Sequence, residues 1–361
     1  MSGMRPTGRL HLGNYWGALK NWVELQAGHA CYFAVADWHM LTTGYEDTSR
    51  LLEDEREMVL DWLAAGVDPE RSVVFRQSDV PEHAELALLL SMITPLSWLE
   101  NNPTWKEQLQ ELARTKRERL LASEAGAAPS AAAIRTVDEA EARAELRTHG
   151  FLGYPVLQAA DILLYGGELV PVGQDQLPHL ELSREIARRF NALYGGGRAV
   201  LKEPQPLLTP TPRVPGLDGR KMSKSYANAV DILESGASLS GKVMTAYTDP
   251  TRLRAKDPGH PEPCAENPPG CSVYALHALY SGHWERRGDE CRAGAIGCVA
   301  CKKDLLASME PRFAELRERR ERYGARPGQV AEILEDGRRK AKAAAERTMD
   351  AVRRAMRLRE R

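Results

Sequence analysis

No apolar run in this 361-residue chain approaches the ~20 residues a helix needs to cross a bilayer. The opening stretch, MSGMRPTGRLHLGN, lacks the apolar block of a secretory signal, so the expected location is the cytoplasm, with no membrane partner. An excess of one charge is missing too: 49 Lys and Arg meet 50 Asp and Glu. No global field then draws the molecule onto nucleic acid, and any polyanion must be read by a local patch. Cysteine is sparse, with six in the chain, and in a long cytoplasmic protein these are expected as thiols or metal ligands.

What is present suffices for a substantial core: 43% of residues are hydrophobic, and the length suggests roughly two domains. The first third alternates strand-like and helix-like segments. Residues 31–38 and 72–78 read as buried strands; residues 48–65 and 83–93 carry helical spacing. Thr48 or Ser49 could cap the first of these helices, and Gly66 sits where it should end. Strand, helix, strand in this order predicts an α/β fold with a parallel, Rossmann-type sheet. Residues 110–148 shift to an Ala/Glu/Arg-rich composition without aromatics and read as a solvated insertion. Pattern returns at residues 150–165, then a strand ends near Gly173 and a helix begins near Leu177. Beyond residue 232 the chain reads as mainly helical, which divides it into 1–232 and 233–361. The last segment places Met349, Val352 and Met356 on one face, with Arg353, Arg354, Arg357 and Arg359 largely elsewhere, as on a solvated helix.

Two segments two hundred residues apart carry chemistry together. PTGRLHLGNYWGAL (6–19) sets Gly8, Gly13 and Gly17 around His11 and Asn14 just before a helix. Glycine admits a ligand close to the backbone, and a helix N-terminus favours phosphate. GRKMSKSYAN (219–228) follows a turn-prone PGLDG and offers two lysines on a loop. Brought near a nucleotide's β- and γ-phosphates, such lysines would offset the charge that builds as pyrophosphate leaves. A mobile loop can close for chemistry and open for release.

These segments resemble the HIGH and KMSKS signatures of class I aminoacyl-tRNA synthetases. Further blocks at 2–8, 35–43, 103–108, 154–165 and 172–191 extend the resemblance to bacterial tryptophanyl-tRNA synthetases over nearly the whole chain outside the insertion. The resemblance implies ligation of L-tryptophan to tRNA(Trp) through Trp-AMP and pyrophosphate, with ATP and Mg²⁺, in a homodimer. It implies that Arg5, Pro6 and Thr7 line the ATP phosphates, that Gly13 lets adenine approach, and that Asn14 donates to phosphate. Gly173, Gln174 and Asp175 would bound the ribose, and Val214 would lie near adenine. Lys221, Met222, Ser223, Lys224 and Ser225 would hold the pyrophosphate end, with Asn14, Lys221 and Lys224 as the catalytic groups. Asp161 would accept the indole N–H, with Tyr154, Gln158, Gln176 and His39 shaping the amino-acid pocket. Indole offers one donor and no acceptor. A buried carboxylate facing it loses its partner when phenylalanine enters, and sites of this kind discriminate by ~10⁴-fold.

Cys271, Cys291, Cys298 and Cys301 lie in one stretch whose last three members follow C-x₆-C-x₂-C, and Cys264 lies just upstream. Four thiolates suit tetrahedral Zn²⁺ or an iron–sulfur cluster, and spacing does not choose. The resemblance favours a 4Fe-4S cluster, as in a subset of the family, within a helical anticodon-recognition domain at 233–361. It favours Cys271 over Cys264 as first ligand, because SVYALH follows it. Cys31, on a predicted strand, reads as packing.

There are departures. The family's first strand starts several residues before the equivalent of Ser2, so either the start is misassigned or the first strand is short. Gln108 stands where some relatives carry a lysine, and the insertion abuts the amino-acid pocket in sequence. A tyrosyl-tRNA synthetase is the nearest rival, since Tyr-x₃-Gln-x₂-Asp also suits a phenol. An RNA-binding paralogue without catalysis is a second, opposed by the intact lysines, and a small nucleotidylyltransferase a third, which would need no cysteine-bearing domain.

Overall fold

A computed structural model describes residues 1–102, 148–173, 176–208 and 214–358, except the side chain of Ser225. Gln108, Gln174, Asp175, Arg359 and all of the insertion but Thr148 lie outside the described residues. Three parallel strands, β1 (Ser2–Met4), β2 (Cys31–Val35) and β3 (Ser72–Arg76), pair in the order β1–β2–β3, with Gly3 opposite Ala34 and Phe33 opposite Val74. β2 ends before Asp37, earlier than its apolar run suggests. Asp37 opens a helix, and its carboxylate accepts from the Ser78 backbone N–H at 3.1 Å. A second parallel pair, β4 (Leu169–Val172) with β5 (Gln205–Leu208), follows.

Helices fill the crossovers that parallel strands require. Between β1 and β2, α1 (Leu12–Asn14) runs through a π-helical turn (Tyr15–Leu19) into α2 (Lys20–Leu25). Between β2 and β3 come α3 (Asp37–Gly44) and α4 (Leu51–Ala65). Arg50, not Thr48 or Ser49, occupies the N-cap of α4, whereas Gly66 closes it at φ 110°, a left-handed geometry that glycine adopts without strain. After β3 come α5 (Glu82–Ser91) and α6 (Leu96–Glu100). α7 (His149–Leu164) is capped by the Thr148 hydroxyl, which accepts from Phe151 N–H at 3.1 Å, and α8 (Leu177–Tyr194) lies between β4 and β5.

Beyond residue 232 the described chain is helical: α9 (Gly236–Thr245), α10 (Ser272–Tyr280), α11 (Trp284–Arg292), α12 (Cys298–Gly324) and α13 (Gln329–Ala355). One core runs from Leu12, Trp22 and Trp62 beside the sheet to Met309 and Phe313 on α12, and Cys31 is buried in it. A second joins Phe75, Leu86 and Ile186 to Ala341, Met349 and Val352 of α13. The last helix therefore returns to the sheet. Gly337 makes this possible, since a Cβ there would stand 1.8 Å from the carbonyl oxygen of Val74. Arg353 is not simply solvated: its Nε donates to Glu85 on α5 at 2.7 Å. No described helix is long and apolar enough to cross a membrane.

Candidate functional site

The loop leaving β1 carries Arg5, Pro6 and Thr7 to the N-terminus of α1, where the HLGN box is locked from within. Gly13 N–H donates to Nδ1 of His11 at 3.1 Å, and the His11 N–H donates to Oδ1 of Asn14, also at 3.1 Å. Burial and the nearby Lys224 charge depress the His11 pKa to about 4, so its ring is a neutral acceptor at pH 7. Gly13 is required by space. A Cβ there would meet the His11 ring at 2.9 Å and Met222 at 3.6 Å.

That second contact brings in the other motif. Backbone bonds run from Leu12 N–H to Val230 O (3.0 Å) and from Ile232 N–H to Leu10 O (3.1 Å). They hold residues 10–12 against 230–232, at the end of the lysine loop. Lys224 Nζ donates to the Thr7 carbonyl at 2.6 Å, and partial removal from water lowers its pKa against the pull of Asp54 and Asp231. Met222 is buried, while Lys221 is exposed beside it. Both lysines of 221–225 thus belong to a loop laid across the start of α1.

Asn228, which sequence reasoning passed over, shapes that loop. It is buried, accepts from Ser223 N–H at 2.8 Å, and donates to Asp218 Oδ1 at 2.7 Å and Lys221 O at 3.1 Å. Its side chain lies over Gly216, where a Cβ would fall 2.1 Å from the amide nitrogen. Arg5 donates to the Thr43 hydroxyl at 3.2 Å. Val214 is packed in the core, and Gly173, directly after β4, accepts the N–H of Gln176 at 3.0 Å.

A second group of polar side chains sits on α7. Tyr154, Gln158 and Asp161 fall at i, i+4 and i+7, hence on one face. Asp161 is buried in a ring of donors. Gln77 Nε2 donates to its Oδ1 at 2.8 Å, His83 Nδ1 lies 2.6 Å from that oxygen, and His39 Nε2 lies 2.9 Å from Oδ2. Burial alone would raise this carboxyl, but His83 and His39 outweigh it and hold the pKa at about 2. His83 in turn meets the Tyr165 hydroxyl at 2.7 Å. Tyr154, its own pKa raised by burial, contacts His179 Nε2 at 2.9 Å, and Asn102 lies 3.1 Å from the other nitrogen of that ring. Gln77, His83, Tyr165, His179 and Asn102 were not singled out from sequence. The available signal was general: a buried Asp demands partners, but His83 and Gln77 lie 78 and 84 residues away.

Cys271, Cys291, Cys298 and Cys301 line one small cavity, joined by Arg252 and Arg287, and Cys264 is not among them. Cys271 caps α10, Cys291 lies in the last turn of α11, and Cys298 and Cys301 occupy the first turn of α12. Arg252 Nη1 approaches the sulfurs of Cys291 and Cys298 at 3.6 and 3.9 Å. Burial pushes the Cys271 and Cys301 thiols up to about 11 and about 12, so they need a cation or metal before they ionise at neutral pH.

Residues 1–314 match the family model described as tRNA synthetases class I (W and Y). The tryptophan–tRNA ligase of Aquifex aeolicus is 45% identical over 402 residues, covering 99% of both chains. That of Thermotoga maritima is 45% identical over 364 residues, covering 99% of this chain and 98% of its own. Among solved structures, tryptophanyl-tRNA synthetase from Campylobacter jejuni, complexed with ADP and tryptophan, superposes with a TM-score of 0.75 at 30% identity over 98% of each chain. On a parallel-stranded fold with its glycine box and lysine loop in contact, these likenesses place the chain among the bacterial tryptophanyl-tRNA synthetases, in the class I family of tryptophan and tyrosine enzymes.

Proposed function

We infer that the chain is a tryptophan–tRNA ligase: it joins L-tryptophan to ATP as Trp-AMP, releasing pyrophosphate, and then passes the amino acid to tRNA(Trp). The observation that carries this reading is Lys224 Nζ seated 2.6 Å from the Thr7 carbonyl, which sets a cationic loop across the N-terminus of α1. In the first step a tryptophan carboxylate oxygen attacks the α-phosphorus. The new O–P bond forms as the bond to the bridging oxygen breaks, and pyrophosphate leaves with that electron pair. Lys221 and Lys224 meet the leaving charge, with Met222, Ser223 and Ser225 carrying the loop around it. Arg5, Pro6, Thr7, Gly13 and Asn14 form the opposite wall for the phosphates. Gly173, Gln174, Asp175 and Val214 serve the nucleoside. No side chain need act as nucleophile, since positioning and electrostatics suffice. Mg²⁺ would be held by the ATP phosphates and water, with no dedicated protein cage.

Asp161 selects the indole. A carboxylate offers about four acceptor sites, and Gln77, His83 and His39 supply three donors. Gln77 Nε2 also reaches Oδ2, at 3.0 Å, so an indole N–H at Asp161 takes the place of that longer contact. Tyr154, Gln158, Gln176 and His39 complete the pocket. The test is ATP–pyrophosphate exchange with each amino acid: tryptophan should support it, and support by tyrosine alone would overturn the assignment.

The four-cysteine cavity holds a 4Fe-4S cluster in this reading. One zinc, with Zn–S near 2.3 Å, would draw its sulfurs to within about 4 Å of one another. Among the described residues only His260, Cys264 and Glu266 bring three such donor atoms within 4.8 Å, so the four thiols are spread more widely, as irons behind each sulfur require. The N-terminus of α12 and Arg252 supply positive potential for the thiolates. When bound, the cluster staples α10, α11 and α12 together. Protein purified without air should be brown and hold about four irons per chain; a colourless protein with one zinc there would replace this reading. Residues 1–232 act as the catalytic domain and 233–361 as the helical anticodon-recognition part, in a homodimer whose mass light scattering would check.

A further inference from the structure

The loop between α9 and α10 has a donor group that neither catalysis nor the four-cysteine cavity uses. One donor atom each from His260, Cys264 and Glu266 lies within 4.8 Å of the others. The group is also braced. His260 Nδ1 stands 2.8 Å from Oδ2 of Asp249, a carboxylate only 5% exposed, and that same oxygen accepts the His260 backbone N–H at 2.6 Å. The other oxygen of Asp249 accepts from the Thr251 N–H and hydroxyl at 2.8 and 2.7 Å. This pairing fixes the imidazole and leaves Nε2 as the ligand nitrogen, the arrangement in which an outer carboxylate orients a metal-binding histidine. Asn267, fully buried, secures the other side. It donates to His260 O at 2.8 Å, accepts from the Tyr247 hydroxyl at 2.9 Å, and its carbonyl accepts Cys264 N–H at 3.1 Å.

We propose that His260, Cys264 and Glu266 bind one zinc-class divalent ion, at a site separate from the four-cysteine cavity. One nitrogen, one sulfur and one oxygen donor suit zinc, whereas Mg²⁺ and Ca²⁺ ask for oxygen alone. The exposed Glu266 leaves the fourth position to water. The ion clips a loop that lies directly over the cavity. Gly259 N–H donates to Cys291 O at 3.0 Å and Cys271 N–H to Pro261 O at 2.9 Å, and a Cβ on Gly259 would sit 2.8 Å from the Cys291 sulfur. This assigns Cys264 a partner set of its own and does not depend on what fills the cavity.

The test counts iron and zinc on the same full-length samples, prepared without air, equilibrated with zinc chloride and then freed of loose metal. Wild type should hold one more zinc per chain than Cys264→Ser, at equal iron. Glu266→Gln, a change at an exposed position that leaves the fold alone, should weaken zinc binding by more than the roughly tenfold that losing an outer partner costs. Co²⁺ in place of zinc should give thiolate-to-metal charge-transfer absorption that Cys264→Ser lacks. Equal zinc in wild type and both variants would overturn the proposal. So would loss of the cavity's own metal from Cys264→Ser, because Cys264 would then belong to that cluster.

Discussion

Asp161 shows how neighbours set the charge state of one buried side chain. Its hydrogen bonds with His83, His39 and Gln77 keep it ionised in a buried place, which is what the proposed role of accepting an indole N–H requires. Asp161→Asn puts an amide where the acceptor stood. A hydrogen bond to a charged partner contributes about 1.5–3 kcal/mol, so kcat/KM for tryptophan in the exchange assay should fall roughly 10- to 150-fold. His11 makes the reverse case. Its pKa falls from 6.5 in the open chain to about 4 in the fold. Between those values the unfolded chain binds the extra proton, so stability should drop as pH falls from 6.5 toward 4. Urea denaturation across that range should show the slope in wild type and a shallower one in His11→Asn.

At the scale of elements, close approach decides the outcome. The lysine loop reaches α1 because Gly13 leaves room for Met222, and Lys224 then lies on the Thr7 carbonyl, where the proposed reaction sets the phosphates. Lys224→Ala should cost roughly 10²–10³ in kcat for pyrophosphate exchange, as loss of one preorganised transition-state donor does, with tryptophan affinity unchanged by equilibrium dialysis. Gly337→Ala would normally strengthen a helix by up to ~1 kcal/mol. Here the added methyl collides with backbone at 1.8 Å and must push α13 off β3. Overpacking of that kind costs about 1–3 kcal/mol, so a lower melting temperature is expected in calorimetry, with the exchange activity at 25 °C little altered.

For the whole molecule, the charged link between its two ends matters most. Arg320 on α12 donates through Nε to Asp61 on α4 at 2.9 Å and pairs with Glu57 as well. Asp61 is fully buried, and burial lifts its pKa to about 6 even with Arg320 and the Leu10 N–H in place. A carboxyl raised in the fold favours the folded state when protonated, and that advantage is lost as pH rises through about 6. Arg320→Ala should therefore cost about 3 kcal/mol at pH 8, where a buried charge loses its partner. At pH 5 the loss should be much smaller, because Asp61 takes a proton instead. Guanidinium denaturation at the two pH values measures the difference.

Sequence by itself carried the alternation of β2, α4, β3 and α5, the stop at Gly66, the helical second part, and the two motifs with their resemblance to synthetases. These are local signals: side-chain periodicity, a residue free to take positive φ, and short strings whose chemistry is read in place. It also carried Asp161 and the four cysteines as candidates. Tertiary structure alone decided what surrounds them. Gln77 and His83 reach Asp161 from beyond β3, Asn228 organises the lysine loop by lying over Gly216, and Cys271 joins the other thiols while Cys264 turns to His260. Partners of that kind are set by where the packed cores place α5, α7 and the loop before α10. No repeat or spacing along the chain records a distance between residues that meet only after folding.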